Sequence, residues 1–189
     1  MSIIKFNEFF DHCIGNWVSK RTYHYLAQGE IERSRTEFEI IPLSEEQKQK
    51  VLSDNQYPNQ SDFSLIPGFS LAFYTISEKG EEVSQQLNLL FVVKEEAGTV
   101  LIGDYLRDRA YEEAKPIISD FRFDTVSREL LMTTRYTRVV SVDSITLINP
   151  NLRIRRILNY QCPPEGEPLE TIVLAGFGVE QKVNSQKSE

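Results

Sequence analysis

The chain has 189 residues, of which 40% are hydrophobic and 26% charged, and its formal net charge at pH 7 is −7. These values are typical of one globular domain. We expect that domain over residues 1–182, followed by a polar tail over 183–189. The negative charge argues against general nucleic-acid binding, because no broad basic surface is available for phosphates. The two cysteines and two histidines lack metal-ligand spacing, so we expect no disulfide framework and no metal site.

The first predicted element is an amphipathic helix over residues 3–14, which ends at Gly15. Its apolar residues recur at helical spacing: Ile3, Phe6, Phe9, Phe10, Cys13 and Ile14. Acidic residues interrupt this segment and it contains no long apolar run. It therefore predicts neither a signal peptide nor a membrane span, and we expect a cytoplasmic protein.

Most of the remaining chain predicts β-strands. Ten candidates alternate apolar and polar residues between turn signals: 17–27, 33–42, 68–77, 85–94, 99–106, 116–123, 128–138, 140–148, 152–161 and 169–181. Between the second and third candidates, Ser44 and Gln47 have the spacing of a capping box, which predicts the start of a short helix. The polar stretch that continues to Pro67 is predicted to be a long loop, of the kind that often forms a lid or a binding element.

One helix followed by ten antiparallel strands predicts an all-β fold: a lipocalin-like up-and-down barrel that can hold one small ligand. The sequence Gly15-Asn16-Trp17 at the start of the first strand resembles the lipocalin signature, in which the indole closes one end of the barrel. Lipocalins usually stack an arginine from near the last strand on that tryptophan. The corresponding region of this chain has only Lys182.

Two arginines follow the turn Asn149-Pro150-Asn151. Alternation along a strand places Arg153 and Arg155 on one face, with side chains about 7 Å apart. Two guanidinium groups at this spacing suit a ligand with two carboxylates. A solvent-exposed basic strand face is the alternative interpretation.

Three other charged residues are candidates for the same site. Arg21 lies in the first strand and Glu180 ends the last one, although Arg21 taken alone also fits a surface salt bridge. Asp143 precedes the turn, and a three-residue loop would pair it with Ile157 on the arginine face, whereas a two-residue loop would place it on the other face. The sequence does not decide between these two registers.

The face opposite the two arginines is largely apolar, with Leu152, Ile154, Leu158 and Tyr160 in phase. If the arginines face the barrel interior, this set faces outward and predicts cover by a helix or a second subunit. Homodimerisation is therefore expected.

These features together resemble the S/U-type phycobiliprotein chromophore lyases, the CpcS/CpeS family. The resemblance covers most of the chain. It is carried by the helix with Phe9-Phe10, by Trp17-x-Ser19-x-Arg21-Thr22, and above all by the segment from Asn149 to Arg155. It implies a ten-stranded lipocalin-like barrel, related to fatty-acid-binding proteins, that binds a linear tetrapyrrole (a bilin). It also implies delivery of that bilin to a cysteine of a phycobiliprotein subunit as a thioether.

The resemblance implies roles for five residues. Arg153 and Arg155 would hold the two propionates of the bilin, and Arg21 would join them. Asp143 lies ten positions before Arg153, where the family has an acidic residue implicated in the site. We interpret Asp143 as the catalytic residue, which holds the pyrrole nitrogens, favours their protonated form and makes the ethylidene group more electrophilic. Glu180 corresponds to a second acidic residue of the site.

The same resemblance implies no permanently bound cofactor. The substrate would be phycocyanobilin or phycoerythrobilin, and the thiol would come from a phycobiliprotein apo-subunit. The chain would act in the cyanobacterial cytosol or the plastid stroma, with no membrane or nucleic-acid partner, as a homodimer or as a heterodimer with a related lyase subunit.

Three alternative functions remain at this point: a carrier of fatty acid or another hydrophobic carboxylate, an accessory subunit of a heteromeric lyase, and an assembly factor that contacts no pigment. An Asp143 side chain that faces the barrel interior would favour bilin over fatty acid.

Overall fold

A computed structural model describes residues 2–58, 60, 62–108 and 116–183. These residues form two α-helices, one short 3-10 helix at Phe63–Leu65 and ten strands. In chain order the elements are α1 Ser2–Cys13, β1 Gly15–Tyr25, β2 Glu30–Pro42, α2 Glu45–Asp54, β3 Gly68–Ser77, β4 Glu82–Ala97, β5 Val100–Arg107, β6 Ile117–Asp124, β7 Glu129–Arg135, β8 Val139–Asn149, β9 Leu152–Gln161 and β10 Ile172–Lys182. Each strand pairs antiparallel with its neighbours in sequence, and β1 pairs with β10 to close a barrel. The predicted up-and-down barrel is confirmed.

The inward face of each strand follows from the alternation in its sequence. In β2, Ser34, Thr36, Phe38 and Ile40 are buried between exposed residues that include several charged side chains. This is the pattern of a strand with one face in a core and one in solvent. The first and last strands close the barrel in a register that pairs Ser19 with Glu180.

The helix α1 closes one end of the barrel with aromatic side chains. Phe6 is fully buried, and its ring centroid lies 5.3 Å from that of Phe121 and 5.1 Å from that of Phe123. Phe10 lies 4.8 Å from Phe91 on the same side. Burial of each such side chain contributes about 1.5–3 kcal/mol. This end of the barrel is therefore filled.

The change from helix to strand occurs at Gly15, whose φ of +118° is one that a glycine adopts without strain. It places Trp17 under the helix, where the indole Nε1 donates a hydrogen bond of 2.8 Å to the Cys13 carbonyl.

The segment between β2 and β3 contains the predicted helix start. Ser44 accepts from the Gln47 backbone, and the Gln47 side chain accepts from the Ser44 backbone, so the capping box is present. The described part of this segment packs on the outer face of β4 and β5, where Val51 and Leu52 contact the cluster that contains Leu106. The interpretation of this segment as a lid is wrong for its described residues, because they cover the outside of the barrel and not an opening.

The hairpin between β8 and β9 settles the position of Asp143. The turn itself has two residues, because Asn149 pairs with Leu152, but the register shifts between Leu147 and Asn149. Ile148 is the extra residue of this bulge. As a result Asp143 pairs with Ile157 and faces the barrel interior.

The part of the tail after Val183 lies outside the described residues. Within the described ranges, the helices are too short and too polar to cross a membrane.

Candidate functional site

A cavity of about 280 Å³ lies inside the barrel, beyond the end that α1 closes. The wall formed by the adjacent strands β1, β10, β9 and β8 carries most of its polar groups: Arg21, Tyr23, Ser141, Asp143, Arg153, Arg155 and Asn159. The opposite wall is largely apolar and includes Leu71, Phe73, Leu87, Leu89 and Met132. The cavity is therefore amphipathic, with charge confined mainly to one side.

Arg153 and Glu180 form a buried ion pair at the base of the polar wall. Arg153 Nε and Nη2 donate to Glu180 Oε2 at 3.0 and 2.6 Å. The guanidinium carbon of Arg153 also lies 4.5 Å from the ring centroid of Trp17 and 5.3 Å from that of Phe38. The pair thus ties β9 and β10 to the indole at the start of β1.

The electrostatics of this pair keep both groups charged. Burial alone would raise the pKa of Glu180, but the positive charges of Arg153, Arg155 and Arg21 hold that pKa below its ordinary value. Burial would also lower the pKa of Arg153, and the Glu180 carboxylate and the nearby Cys13 reverse that effect and raise it.

Arg21 shares the Glu180 carboxylate from the side of β1. Its Nη2 lies 3.6 Å from Glu180 Oε1, and its Nε donates to Ser19 Oγ at 3.2 Å. A longer contact of 3.5 Å joins Nη1 to Tyr23 Oη. Arg21 is less buried than Arg153 and lines the cavity.

Asp143 and Arg155 form a second ion pair, which is more exposed than the pair of Arg153 and Glu180. Arg155 Nη2 donates to Asp143 Oδ2 at 3.2 Å, and both side chains are partly exposed. Asp143 Oδ1 has no hydrogen-bond partner among the described residues, and the same holds for Asn159 Oδ1 on the same wall. Rotation about the soft Cβ–Cγ bond of an aspartate presents either oxygen to the cavity. The polar wall therefore offers two acceptors to a ligand with N–H groups.

The structure thus brings all five predicted site residues to one wall, in two groups. Arg21, Arg153 and Glu180 form the deeper group, and Asp143 with Arg155 forms the outer one. Glu180 is fully buried behind Arg153 and is not among the residues that line the cavity. That Arg153 and Arg155 each hold a ligand carboxylate stays a prediction, since each is paired here with a carboxylate of the chain itself.

Comparison with known proteins adds to this geometry. The model of the family described as CpeS-like protein matches residues 5–183. The chain belongs to the CpeS-like family. It is 61% identical over 179 residues to chromophore lyase CpcS/CpeS 1 of Synechococcus sp. (strain JA-3-3Ab), covering 95% of this chain and 97% of that protein.

The chain is also similar to a more distant relative and to a solved structure. The phycocyanobilin lyase subunit CpcS of Picosynechococcus sp. (strain ATCC 27264 / PCC 7002 / PR-6) is 25% identical over 150 residues, which are 78% of this chain and 74% of that protein. The S-type phycobiliprotein lyase CPES from Guillardia theta superposes with a TM-score of 0.75 over 98% of this chain and 99% of that one. At 17% identity this likeness shows a shared fold.

In this CpeS-like chain, the arginine that stacks on Trp17 comes from an unexpected strand. Lys182, which the sequence offered near the last strand, lies 5.1 Å from the Trp17 ring centroid and donates to the His12 carbonyl at 2.8 Å. Arg153 on β9 is closer to the same ring and supplies the guanidinium.

Several polar residues of the cavity are not among the predicted site residues, and they include Tyr23, Asn159, Arg107 and Tyr136. Arg107 is 3% exposed and donates from Nη2 to Tyr136 Oη at 2.7 Å. Its guanidinium carbon lies 5.4 Å from the ring centroid of Tyr105. The position of Arg107 could be predicted from the sequence, because alternation along β5 places its side chain on the same inward face as Leu101 and Tyr105.

Proposed function

We propose that this CpeS-like chain is a chromophore lyase that binds a bilin in the barrel cavity and promotes its thioether attachment to a cysteine of a phycobiliprotein subunit. The 61% identity to a chromophore lyase supports this activity. The observation that carries the proposal is the pair of Asp143 and Arg155 in the polar wall of a cavity whose opposite wall is largely apolar.

The two walls of the cavity match the two kinds of surface on a bilin. The apolar wall suits the conjugated rings, and Arg155 and Arg21 suit the propionates, since guanidinium groups bind carboxylates with two parallel hydrogen bonds. The unpaired Oδ1 of Asp143 suits a pyrrole N–H. Beside the alkyl chain of a fatty acid, that Oδ1 atom would be desolvated without a compensating hydrogen bond, although Arg155 still binds Oδ2. The lyase is therefore preferred to the fatty-acid carrier.

Asp143 is the proposed catalytic residue. Its carboxylate accepts hydrogen bonds from the pyrrole nitrogens and stabilises the protonated, cationic form of the bilin. Attack by the acceptor thiolate then forms a carbon–sulfur bond at the ethylidene carbon, and the electron pair of the exocyclic double bond neutralises the cation. The thiol belongs to the acceptor subunit and not to this chain. The barrel holds the bilin in one conformation and limits access of water to it.

In this proposal Arg153 and Glu180 have a structural role and do not contact the ligand carboxylates. Because Arg153 is bound to Glu180 and stacked on Trp17, its main contribution is to hold the base of the polar wall. Arg155 and Arg21, which are less buried, take the ligand carboxylates.

The finer features of the function follow from the same proposal. Phycocyanobilin or phycoerythrobilin is the substrate, and the reaction takes place in the cyanobacterial cytosol or the plastid stroma. The functional unit is a dimer, either of this chain alone or with a related lyase subunit. The outer face of β9 and β10 supports the dimer, because Phe177 and Val179 are exposed there beside the half-buried Ile154.

An absorbance titration with phycocyanobilin tests the function. The wild-type protein should give a saturable spectral change, and Arg155→Ala should weaken binding by about tenfold, the equivalent of one lost charged contact. Asp143→Asn should bind the bilin but transfer it more slowly to candidate apo-subunits. Arg156→Ala is the matched control, because this residue lies on the outer face of the same strand. A wild-type protein that leaves the bilin spectrum unchanged but binds a fluorescent fatty acid would make the chain a carrier.

A further inference from the structure

Two glycines occupy the inward positions of β10 in the middle of the polar wall. Gly178 pairs with Arg21 on one side and Arg155 on the other, and Gly176 pairs with Tyr23 and Ile157. Neither glycine has a positive φ, so backbone conformation does not call for glycine here. Glycine inside a strand weakens the strand and often marks a close approach of other groups.

The side chains of β1 make that close approach. A Cβ atom at Gly176 would lie 2.7 and 2.9 Å from two ring carbons of Tyr23 and 3.3 Å from Ile157 Cβ. A Cβ atom at Gly178 would lie 3.2 Å from both Arg21 Cγ and Ser19 Oγ. The Tyr23 ring and the Arg21 stem therefore lie against the backbone of β10, where any larger residue would displace them.

We propose that Gly176 and Gly178 are positioning residues that set the width of the cavity, so that it accepts a ligand as broad as a linear tetrapyrrole. This inference rests on the proposed bilin lyase function. A methyl group at residue 176 must move the Tyr23 ring by about 0.7 Å, the difference between 2.7 Å and an ordinary contact of 3.4 Å. Tyr23 lines the cavity, so displacement of its ring away from β10 narrows the cavity.

The two glycines act through different neighbours. Gly176 acts through the rigid Tyr23 ring, two carbons of which would lie within 3.0 Å of the added Cβ atom. Gly178 acts through Arg21, whose stem is flexible, so the effect of a methyl group there is smaller. Since Tyr23 Oη lies 3.5 Å from Arg21 Nη1, displacement of the ring also disturbs the guanidinium.

The experiment compares two ligands of different breadth. Dissociation constants for phycocyanobilin and for cis-parinaric acid, a narrow fluorescent fatty acid, are measured for the wild type, Gly176→Ala, Gly178→Ala and Gly176→Ala/Tyr23→Leu. Gln181→Ala, an exposed and outward-facing change on the same strand, is the control. Gly176→Ala should weaken bilin binding by about tenfold or more, the usual effect of one methyl group in a filled pocket, and leave fatty-acid binding within about threefold. Tyr23→Leu in the Gly176→Ala background should restore most of the bilin affinity, which a general loss of stability would not allow.

Each outcome has a defined meaning. Equal losses for both ligands, or no recovery in the double variant, would overturn the inference, as would unchanged bilin binding in Gly176→Ala. If Gly176→Ala does not fold, a selective loss of bilin affinity in Gly178→Ala supports the inference and an unselective one contradicts it. A wild-type protein that fails to bind phycocyanobilin would instead remove the proposed function, on which the inference depends.

Discussion

The guanidinium of Arg153 lies over the indole of Trp17, with its central carbon 4.5 Å from the ring centroid. The two residues belong to strands that are not neighbours in the barrel, since β10 lies between β9 and β1. The cation–π contact and the ion pair to Glu180 therefore connect three strands under α1.

Replacement of Arg153 by alanine should lower the free energy of unfolding by about 3–5 kcal/mol, because it leaves the Glu180 charge buried without its main partner. Urea denaturation followed by far-ultraviolet circular dichroism measures the change. Arg156→Ala, an exposed residue of the same strand, should change the free energy by about 0.5 kcal/mol or less. Equal small effects of the two substitutions would mean that the buried pair contributes little.

Acid should remove part of the stability that Glu180 provides. Its pKa in the folded state is below the ordinary value of 4.5, so its contribution is complete above about pH 4.5 and is lost as the pH falls through the lower, folded-state value. The Glu180→Gln variant should be less stable than the wild type at pH 7, and the difference should narrow as the pH falls below 4.5. Unfolding free energies at several pH values measure this difference, and a constant difference would contradict the assignment.

The phenol of Tyr57 should stabilise the packing of the β2–β3 segment on the outer face of the barrel. Its Oη donates to Asp104 Oδ2 at 2.6 Å, and Lys94 Nζ lies 2.6 Å from the same oxygen. Burial and the nearby Asp104 raise the pKa of Tyr57, so the phenol stays protonated as a donor. Tyr57→Phe should lower the free energy of unfolding by about 1 kcal/mol.

Tyr74→Phe is the control for that hydrogen bond, because Tyr74 is exposed on the outer face of β3. Thermal unfolding of both variants measures the difference. A shift in melting temperature as large for Tyr74→Phe as for Tyr57→Phe would argue against a specific role of the contact with Asp104.

The proposed dimer makes a prediction about Phe177, which is 51% exposed on the outer face of β10. Phe177→Glu should convert a dimer to a monomer in sedimentation equilibrium, because a charge buried at an interface without a partner is unfavourable. Its melting temperature, extrapolated to low protein concentration, should match that of the wild type. A wild-type protein that is monomeric at micromolar concentration, with or without a related subunit, would exclude the dimer.

The strands and the polar wall could be predicted because they depend on local periodicity. Alternation alone places Arg153 and Arg155 on one face and Trp17, Ser19 and Arg21 on one face. The amphipathic spacing of α1 likewise predicts which of its residues are buried.

The remaining features depend on contacts that local sequence does not report. The bulge at Ile148, and not the length of the turn, turns Asp143 inward. The cation that stacks on Trp17 depends on the closure of the barrel. This closure brings both Arg153 and Lys182 close to the indole ring. The length of the segment before β3 predicts a lid or a binding element, whereas Phe63 and Ile66 pack it against the outer face of the barrel.

The aromatic seal formed by α1 has a kinetic consequence. Among the described residues, α1 fills one end of the barrel, so in the proposed reaction the bilin and the acceptor cysteine would both approach from the other end. An acceptor that docks first would block the pigment, and for this reason the proposed reaction is ordered, with pigment first and acceptor second. When the acceptor subunit dissociates, the attached chromophore leaves the cavity through the same end of the barrel.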